Sequence, residues 1–497
     1  MNIIDSAIGV ISPKWAVERQ LYREKLKHLR QYAAAKTTRS TGTWVKASES
    51  VNDEIENSYK EIIARVRQLS NDFPVFFNAL NSIVDFTVGS GMKFQMKLRH
   101  DSRELDENKN NLIEDLWEEF KEAKNCDYGQ RLSLEDIARL CQRTKYESGD
   151  FILVYRYEDD PNRMLPFSLQ VLDPNDLTSY GAKGDGNTII KMGIEYDRNT
   201  LQTKNYYFAD DDDYSQKHVK ISAKNILHGF DALRPGQIKG ISPLASAVLM
   251  ADSIGEYIGS ELDGAKLMSR YVGFVTTPNA YDFQRYRSEY DSDDGIRTEE
   301  IDSGILEYLK PGEEIKFNDK TKNSSTFEPF MNKVLRMISI TTGLPYEVVT
   351  GDYHGLNYTV SRVSRNDMAV RLKPVKDAFI NSFYMPIFKK FLEAAYLKNK
   401  LPYSTYMTNP RKFVRAATFT APGLPKIDPM RETRGQVEGL DNMLITNSEI
   451  ARNEGKSFED VVQEAADDKK LMQKFGLERL PVSESLQTNP AKVEEED

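Results

Sequence analysis

Carboxylates are the residues in this chain whose spacing comes nearest to chemistry. Residues 210–213 are four aspartates in a row, and the polar stretch 279–300 collects Asp291, Asp293, Asp294, Glu299 and Glu300. Clustered carboxylates can hold Mg²⁺, and a held Mg²⁺ can cleave phosphodiesters. A calcium loop needs alternating ligands and a glycine at a fixed position. The 210–213 run lacks both and reads as a solvated hairpin tip. Five histidines (His28, His100, His218, His228 and His354) are scattered without ligand spacing, which argues against a zinc site. Two cysteines, Cys126 and Cys141, do not make a disulfide framework and fit a reducing compartment. There is no P-loop, no Gly-x-Ser-x-Gly, no His-Glu-x-x-His and no Cys-x-x-Cys. The expectation is a non-enzyme, with no catalytic residue, no metal ligand and no cofactor.

A different chemistry is offered by residues 344–371. Gly343, Pro345, Gly351 and Gly355 interrupt the chain between two helical patterns. The loop of about ten residues between them carries Tyr353, His354, Asn357, Tyr358 and Thr359 and little charge. Its aromatics argue against disorder. It reads as a loop held out by two helices to touch something. Thr359 and Ser361 are the candidate caps of the second helix.

The composition limits what is touched. The 497 residues allow two to four domains. Hydrophobic residues are 39% and charged residues 29%, with a net charge of −9. A protein that grips phosphates over its whole surface should be basic; an acidic wall lets DNA slide past. No run approaches the ~18 apolar residues of a membrane span. The N-terminus lacks the basic start of a signal peptide, so residues 1–50 read as an arm that docks on a neighbour.

The elements follow from periodicity and breakers. Residues 51–87 are helical with a break at Pro74, and Val88-Gly89-Ser90-Gly91 stops them before a strand at 93–98. Helices follow at 103–124 and from Ser133, where Ser-Leu-Glu-Asp resembles a capping box. Strands are expected at 151–157, 166–172 and 226–230, with one hairpin formed by 189–196 and 202–208. A helix of some 30 residues starts at Ser242-Pro243. Its Gly255, Gly259 and Gly264 each cost up to ~1 kcal/mol, and close approach of a neighbouring backbone is the expected compensation. A small β insertion spans 272–325. The next helix, 326–342, leads into the loop, and a long helix at 359–397 should bend at Pro374 and Pro386. Residues 405–425 are expected to be extended. Asp428 and Pro429 start a last group of helices, and the acidic end, 483–497, is expected to be disordered. The class is α+β and multidomain.

In order, four stretches resemble the lambda-type portal proteins of tailed bacteriophages. They are Asn78 through Gly91; Glu147-Ser-Gly-Asp150 with Gln170-Val-Leu-Asp173; His228-Gly-Phe with Arg234-Pro-Gly-Gln-Ile-Lys239-Gly-Ile-Ser-Pro-Leu-Ala; and Gly343-Leu-Pro-Tyr-Glu through Gly351-Asp-Tyr and Leu356-Asn-Tyr-Thr-Val-Ser-Arg362. Lys239 stands where that family often has Arg, and Thr359-Val360 where it usually has Ser-Ser. The resemblance implies a portal fold of wing, stem helices, β-rich clip, tunnel loop and helical crown, assembled into a ring of about twelve. It divides the chain into an arm (1–50), wing (51–235), stem helix (236–271), clip (272–325), returning stem helix (326–343), tunnel loop (344–361), wing with a kinked helix (362–424), crown (425–480) and acidic tail (481–497). Tyr353, His354, Asn357, Tyr358 and Thr359 would face DNA. Gly255, Gly259 and Gly264 would pack between subunits. Asp291, Asp293, Asp294, Glu299 and Glu300 would dock the terminase and adaptor.

The implied role is a head-tail connector at one capsid vertex of the virion, assembled in the host cytoplasm. Double-stranded DNA would pass through it during packaging and ejection. Its partners would be copies of itself, the terminase large subunit, a head-completion adaptor, and the major capsid and scaffolding proteins, with no membrane. Two rivals stand beside this reading: a metal-dependent nucleic-acid-processing enzyme using the 291–300 or 210–213 carboxylates, and a monomeric helical adaptor.

Overall fold

Apolar residues at helical spacing form α1 (Tyr59–Asp72), which follows a short helix at Val51–Glu56 and buries Tyr59, Ile63 and Val66. Pro74 ends that run and opens α2 (Pro74–Thr87), where its missing N–H costs nothing. The computed structural model describes residues 50–100, 105–184, 186–209, 218–270, 274–276, 314–316, 324–401, 404–424 and 428–475. The chain divides into two compact units, Met1–Glu54 and Ile55–Asp497, and the elements below lie in the second. The 210–213 run, the clip carboxylates Asp291, Asp293, Asp294, Glu299 and Glu300, and the 483–497 tail fall outside the described residues.

Strand β1 (Lys93–Met96) is followed by α3 (Glu107–Lys121), whose N-cap Asp106 accepts the Lys109 N–H. Helix α4 (Leu134–Ser148) starts with the expected capping box between Ser133 and Asp136. Strand β2 (Asp150–Tyr157) lies between β3 (Phe167–Leu172) and β8 (Ile226–Phe230), antiparallel to both. Between them β4 (Thr188–Lys191), β5 (Ile194–Asp197), β6 (Thr203–Ala209) and β7 (His218–Ser222) form a four-stranded antiparallel sheet. The single strand expected over 189–196 is therefore itself a hairpin. Its turn is Met192-Gly193, both at positive φ, the backbone a two-residue hairpin needs.

After β8 the chain turns through residues 231–242 and a 3₁₀ segment (Pro243–Ala247) into α5 (Val248–Arg270). Of the β insertion expected over 272–325, β9 (Phe274–Thr276) and β10 (Glu314–Lys316) are described, paired antiparallel. Helix α6 (Ser324–Thr342) and the short α7 (Tyr346–Thr350) lead to α8 (Tyr358–Phe379). The long helix expected over 359–397 is divided. A π-helical turn (Ile380–Tyr384) separates α8 from α9 (Met385–Leu397), and Pro386, which has no N–H to bond back, follows directly. Residues 405–425 are not extended throughout. They hold two short helices, Ser404–Thr408 and Pro410–Ala416, before β11 (Ala417–Thr420). The signal was local: Asn409 caps the second by accepting the Lys412 N–H, with Pro410 next. Strand β11 pairs with β1 across more than 300 residues of chain. Helices α10 (Pro429–Asp441), α11 (Asn447–Asn453) and α12 (Phe458–Lys474) close the described chain, with Asp428 capping α10 as expected. Glu459 ties α12 to β1 by accepting from Gln95 at 2.8 Å.

Two apolar clusters form. One centres on Trp117 and Phe120 of α3, with Phe388 and Phe391 of α9 and Phe419 of β11. The other joins α1, α2, α5, α6, α7 and α8 through Val66, Phe76, Leu80, Ala251, Ile254, Ile338, Val349, Met368 and Leu372. The second cluster carries the loop.

Between the sheet and the second cluster lies a buried charge joint. Asp150, at the head of β2, and Lys239, in the turn before α5, are both 0% exposed. Lys239 Nζ reaches the two Asp150 oxygens at 2.8 and 3.1 Å and lies 5.2 Å from the Tyr59 ring centre. His228 Nε2 meets the same carboxylate at 2.9 Å, and its Nδ1 meets the Tyr206 hydroxyl at 3.1 Å. Burial alone would raise the Asp150 carboxyl; Lys239 and His228 outweigh it and hold it below the usual carboxylate value. Around the joint, Ser242 Oγ donates to the Tyr146 carbonyl at 2.6 Å, and Arg67 bridges Asp173 at 2.7 Å and Ser148 at 3.1 Å. The backbones touch here too. Gly149 has φ +95°, and a Cβ on it would sit 2.4 Å from the Ile241 nitrogen. Only glycine tolerates both conditions.

Removing one partner leaves a buried charge unpaired, so Asp150→Ala should cost about 3–5 kcal/mol in urea unfolding. The double change Asp150→Leu with Lys239→Met should recover most of that loss. Because the native value is depressed, the stabilisation by Asp150 is fully present above about pH 4 and is lost as pH falls through the native value. Acid unfolding followed by circular dichroism should accordingly lose that pH dependence in the double variant.

Candidate nucleic-acid interface

The loop is shorter than its sequence implies. Pro345 precedes one turn of helix, α7, which ends at the left-handed Gly351. Helix α8 already begins at Tyr358. Residues 351–357 remain as the true connection. Neither Thr359 nor Ser361 caps α8. Asn357 does, its Oδ1 accepting the Val360 N–H at 2.8 Å, because asparagine just before the first turn reaches the free N–H groups.

The loop's carboxylate is spent internally. Asp352 accepts the His354 N–H at 3.0 Å and the Tyr346 hydroxyl at 3.3 Å. The same hydroxyl lies 3.0 Å from Asn332 Oδ1 of α6, so its single proton is shared between the two acceptors, and the Arg336 guanidinium lies 5.3 Å from the ring centre. From the other side Asn78 of α2 donates to the Val348 and Val349 carbonyls, both at 2.9 Å. Val349 is fully buried in the second cluster. The base of the loop is thus braced by α2 and α6 while its tip stands in solvent.

The five expected contact residues separate into three groups. Tyr353 is 64% exposed, and His354 is exposed beside it. Asn357 is a helix cap. Tyr358 and Thr359 belong to the first turn of α8, and the Tyr358 ring lies 6.0 Å from Arg431 of α10. Sequence reading missed Asn78, whose signal was an asparagine beside the apolar α2 face. It also missed the Asp150, His228 and Lys239 joint, signalled by a carboxylate heading the buried apolar run Phe151-Ile-Leu-Val154.

The three glycines of α5 also separate. A Cβ on Gly255, Gly259 or Gly264 would meet nothing within 4 Å, so among the described residues no backbone outside the helix itself approaches them. At about 100° per residue Gly255 and Gly259 share a face, while Gly264 points about 140° away from Gly259. Nearby helices leave apolar side chains exposed: Leu249 and Leu262 on α5, Met337 and Ile340 on α6, and Val363 and Val370 on α8. Among the described residues no helix is long and apolar enough to cross a membrane, and no group of His, Cys, Asp or Glu is arranged to hold a metal.

A family model described as phage portal protein, lambda family, matches residues 37–374, more than half of the chain. The chain belongs to the lambda family of phage portal proteins. That family is structural and not enzymatic. Among its relatives, the probable portal protein of Halomonas phage phiHAP-1 is 23% identical over 476 residues, covering 93% of this chain and 90% of the relative. Portal protein B of Escherichia phage lambda is 20% identical, covering 65% and 67%. Among solved structures, a chain in the neck of an empty GTA particle superposes with a TM-score of 0.43 at 14% identity, covering 80% of this chain and 94% of that one.

The brace predicts its own test. Asn78→Ala removes two hydrogen bonds and should lower stability by about 1–2 kcal/mol. Amide exchange in 351–357 should rise while exchange in the first apolar cluster stays unchanged. Equal exchange in both regions would remove Asn78 as the brace.

Proposed function

We propose that this chain is the subunit of a ring of about twelve copies, set at one capsid vertex, through which double-stranded DNA moves. The observation that carries the reading is the exposed tip of residues 351–357, braced at its base and flanked by helices whose outward faces are apolar and unpartnered in a single chain. Apolar faces of this extent mark surfaces that meet protein. Membership of a portal family supports reading the partner as another copy and the enclosed channel as a DNA path.

Tyr353 and His354 would then meet DNA, with Tyr358 and Thr359 behind them and Asn357 holding the turn. Since Asp352 is engaged internally, the loop offers polar and aromatic groups instead of cations. Contacts of that kind release few counterions, so they hold phosphate weakly and depend little on salt. A conduit needs that weakness. Gly255, Gly259 and Gly264 would admit neighbouring subunits. The clip, with Asp291, Asp293, Asp294, Glu299 and Glu300, would dock the terminase large subunit and later a head-completion adaptor. The crown would face the capsid interior, among the major capsid and scaffolding proteins, in a particle assembled in the host cytoplasm.

Negative-stain microscopy of the purified chain should show uniform rings with a central hole. Monomers alone, including under procapsid-like conditions, would sink the reading. Replacing Tyr353 and His354 by glycine spares the Asn357 cap. It should leave rings intact while DNA packaging or retention in reconstituted particles falls about tenfold, the effect of losing about 1.4 kcal/mol of polar contact per loop. Loss of rings instead would make the loop an assembly element.

A further inference from the structure

A closed ring is built head to tail, so each subunit must present two unlike surfaces that fit each other. Two exposed helix faces in the second cluster meet that condition. The first is on α8. Val360, Val363 and Val370 are 49%, 64% and 72% exposed; at about 100° per residue Val363 and Val370 lie on the side away from the buried Met368 and Leu372, with Val360 at its edge. β-Branched residues gain little from water, and three along one 22-residue helix form a ridge. Exposed Arg362, Arg371 and Lys373 flank it. The helix as a whole carries five cations against two carboxylates.

The second face is on α5. Gly255 and Gly259 lie one turn apart with open space above them, which leaves a notch in the helix surface. Exposed Asp252, Glu256 and Asp263 border it. This helix carries four carboxylates against two cations, and one of those cations, Lys266, already lies 3.1 Å from Asp263. The two faces occupy different parts of the cluster, since α5 packs on α1 and α6 whereas α8 packs on α2. Either face laid on its own copy would set like charges together, which costs affinity. Crossed pairing sets a ridge against a notch and cations against carboxylates.

We propose that α8 of one subunit seats its valine ridge in the Gly255/Gly259 notch of α5 on the next copy, with Arg362, Arg371 and Lys373 against Asp252, Glu256 and Asp263. This rests on the ring reading and names the surfaces that close it. Because Asn357 joins the loop directly to α8, the contact also ties each loop to the stem helix of the neighbouring subunit.

The test is a charge-reversal cycle on the full chain, with ring yield read by mass photometry in low salt. Arg362→Glu with Arg371→Glu, and separately Asp252→Lys with Glu256→Lys, should each reduce ring yield about tenfold or more, and all four together should restore it to within about threefold. If wild type forms rings and both reversals are neutral, or the combination is worse than either, this pairing is wrong while the ring reading stands. If wild type stays monomeric, the ring reading falls and the pairing with it. A second measurement does not depend on charge. Gly255→Cys with Val363→Cys changes only exposed positions, and the native Cys126 and Cys141 are buried. A short bis-maleimide should convert rings of this variant into covalent multimers on a denaturing gel. Rings that yield only monomer bands would overturn the contact.

Discussion

Asp150 and Lys239 face each other at 2.8 Å without access to water. Desolvating both ions is unfavourable, and only tight geometry with further hydrogen bonds offsets it. Here the second carboxylate oxygen, the His228 ring and the Tyr59 face supply those partners. The arrangement works only if β2, β8, α1 and the turn before α5 arrive together. A mispaired alternative would strand a charge in an apolar interior. The joint therefore acts on specificity as much as on stability, by making one junction between sheet and helices far better than any other.

The rest of the structure follows from that junction. It aims α5 out of the second cluster. Helix α6 returns along α5, with Tyr257 stacking on Phe327 at 5.7 Å. The base of the loop then lands on α2, where Asn78 satisfies two carbonyls that α7 leaves open. Tip and base have opposite physical characters. The base is buried and hydrogen-bonded, so it holds position. The tip makes few contacts with its own chain and is left to meet something else.

Much of this was legible in the sequence, for local reasons. The capping box at Ser133, the stop at Gly149, the start at Asp428-Pro429 and the break at Pro74 are each decided by a few neighbouring residues. The order of short motifs was sufficient to suggest the portal family, which the family match then established. Less legible was why those motifs are there. Glu147-Ser-Gly-Asp150, His228-Gly-Phe and the turn to Lys239 read as separate strand and turn signals. In space they are one buried joint, and no spacing rule connects residues almost ninety apart. The segment 405–425 is helical in its first half because Asn409 and Pro410 start a helix there, a local signal that overrides the later prolines.

The sequence by itself determined the helices, most strands, the presence of an interrupted connection before α8, and the lack of a familiar catalytic motif. Those depend on side-chain period, on caps, and on where glycine and proline stop the chain. Tertiary structure alone decided that Asn78 of α2 braces the base of the loop, that Tyr346 reaches Asn332 of α6, and that Asp150 meets Lys239. Each of these turns on which distant surface a residue meets. A one-dimensional pattern records that a face is apolar or charged, and only packing in three dimensions settles what covers it.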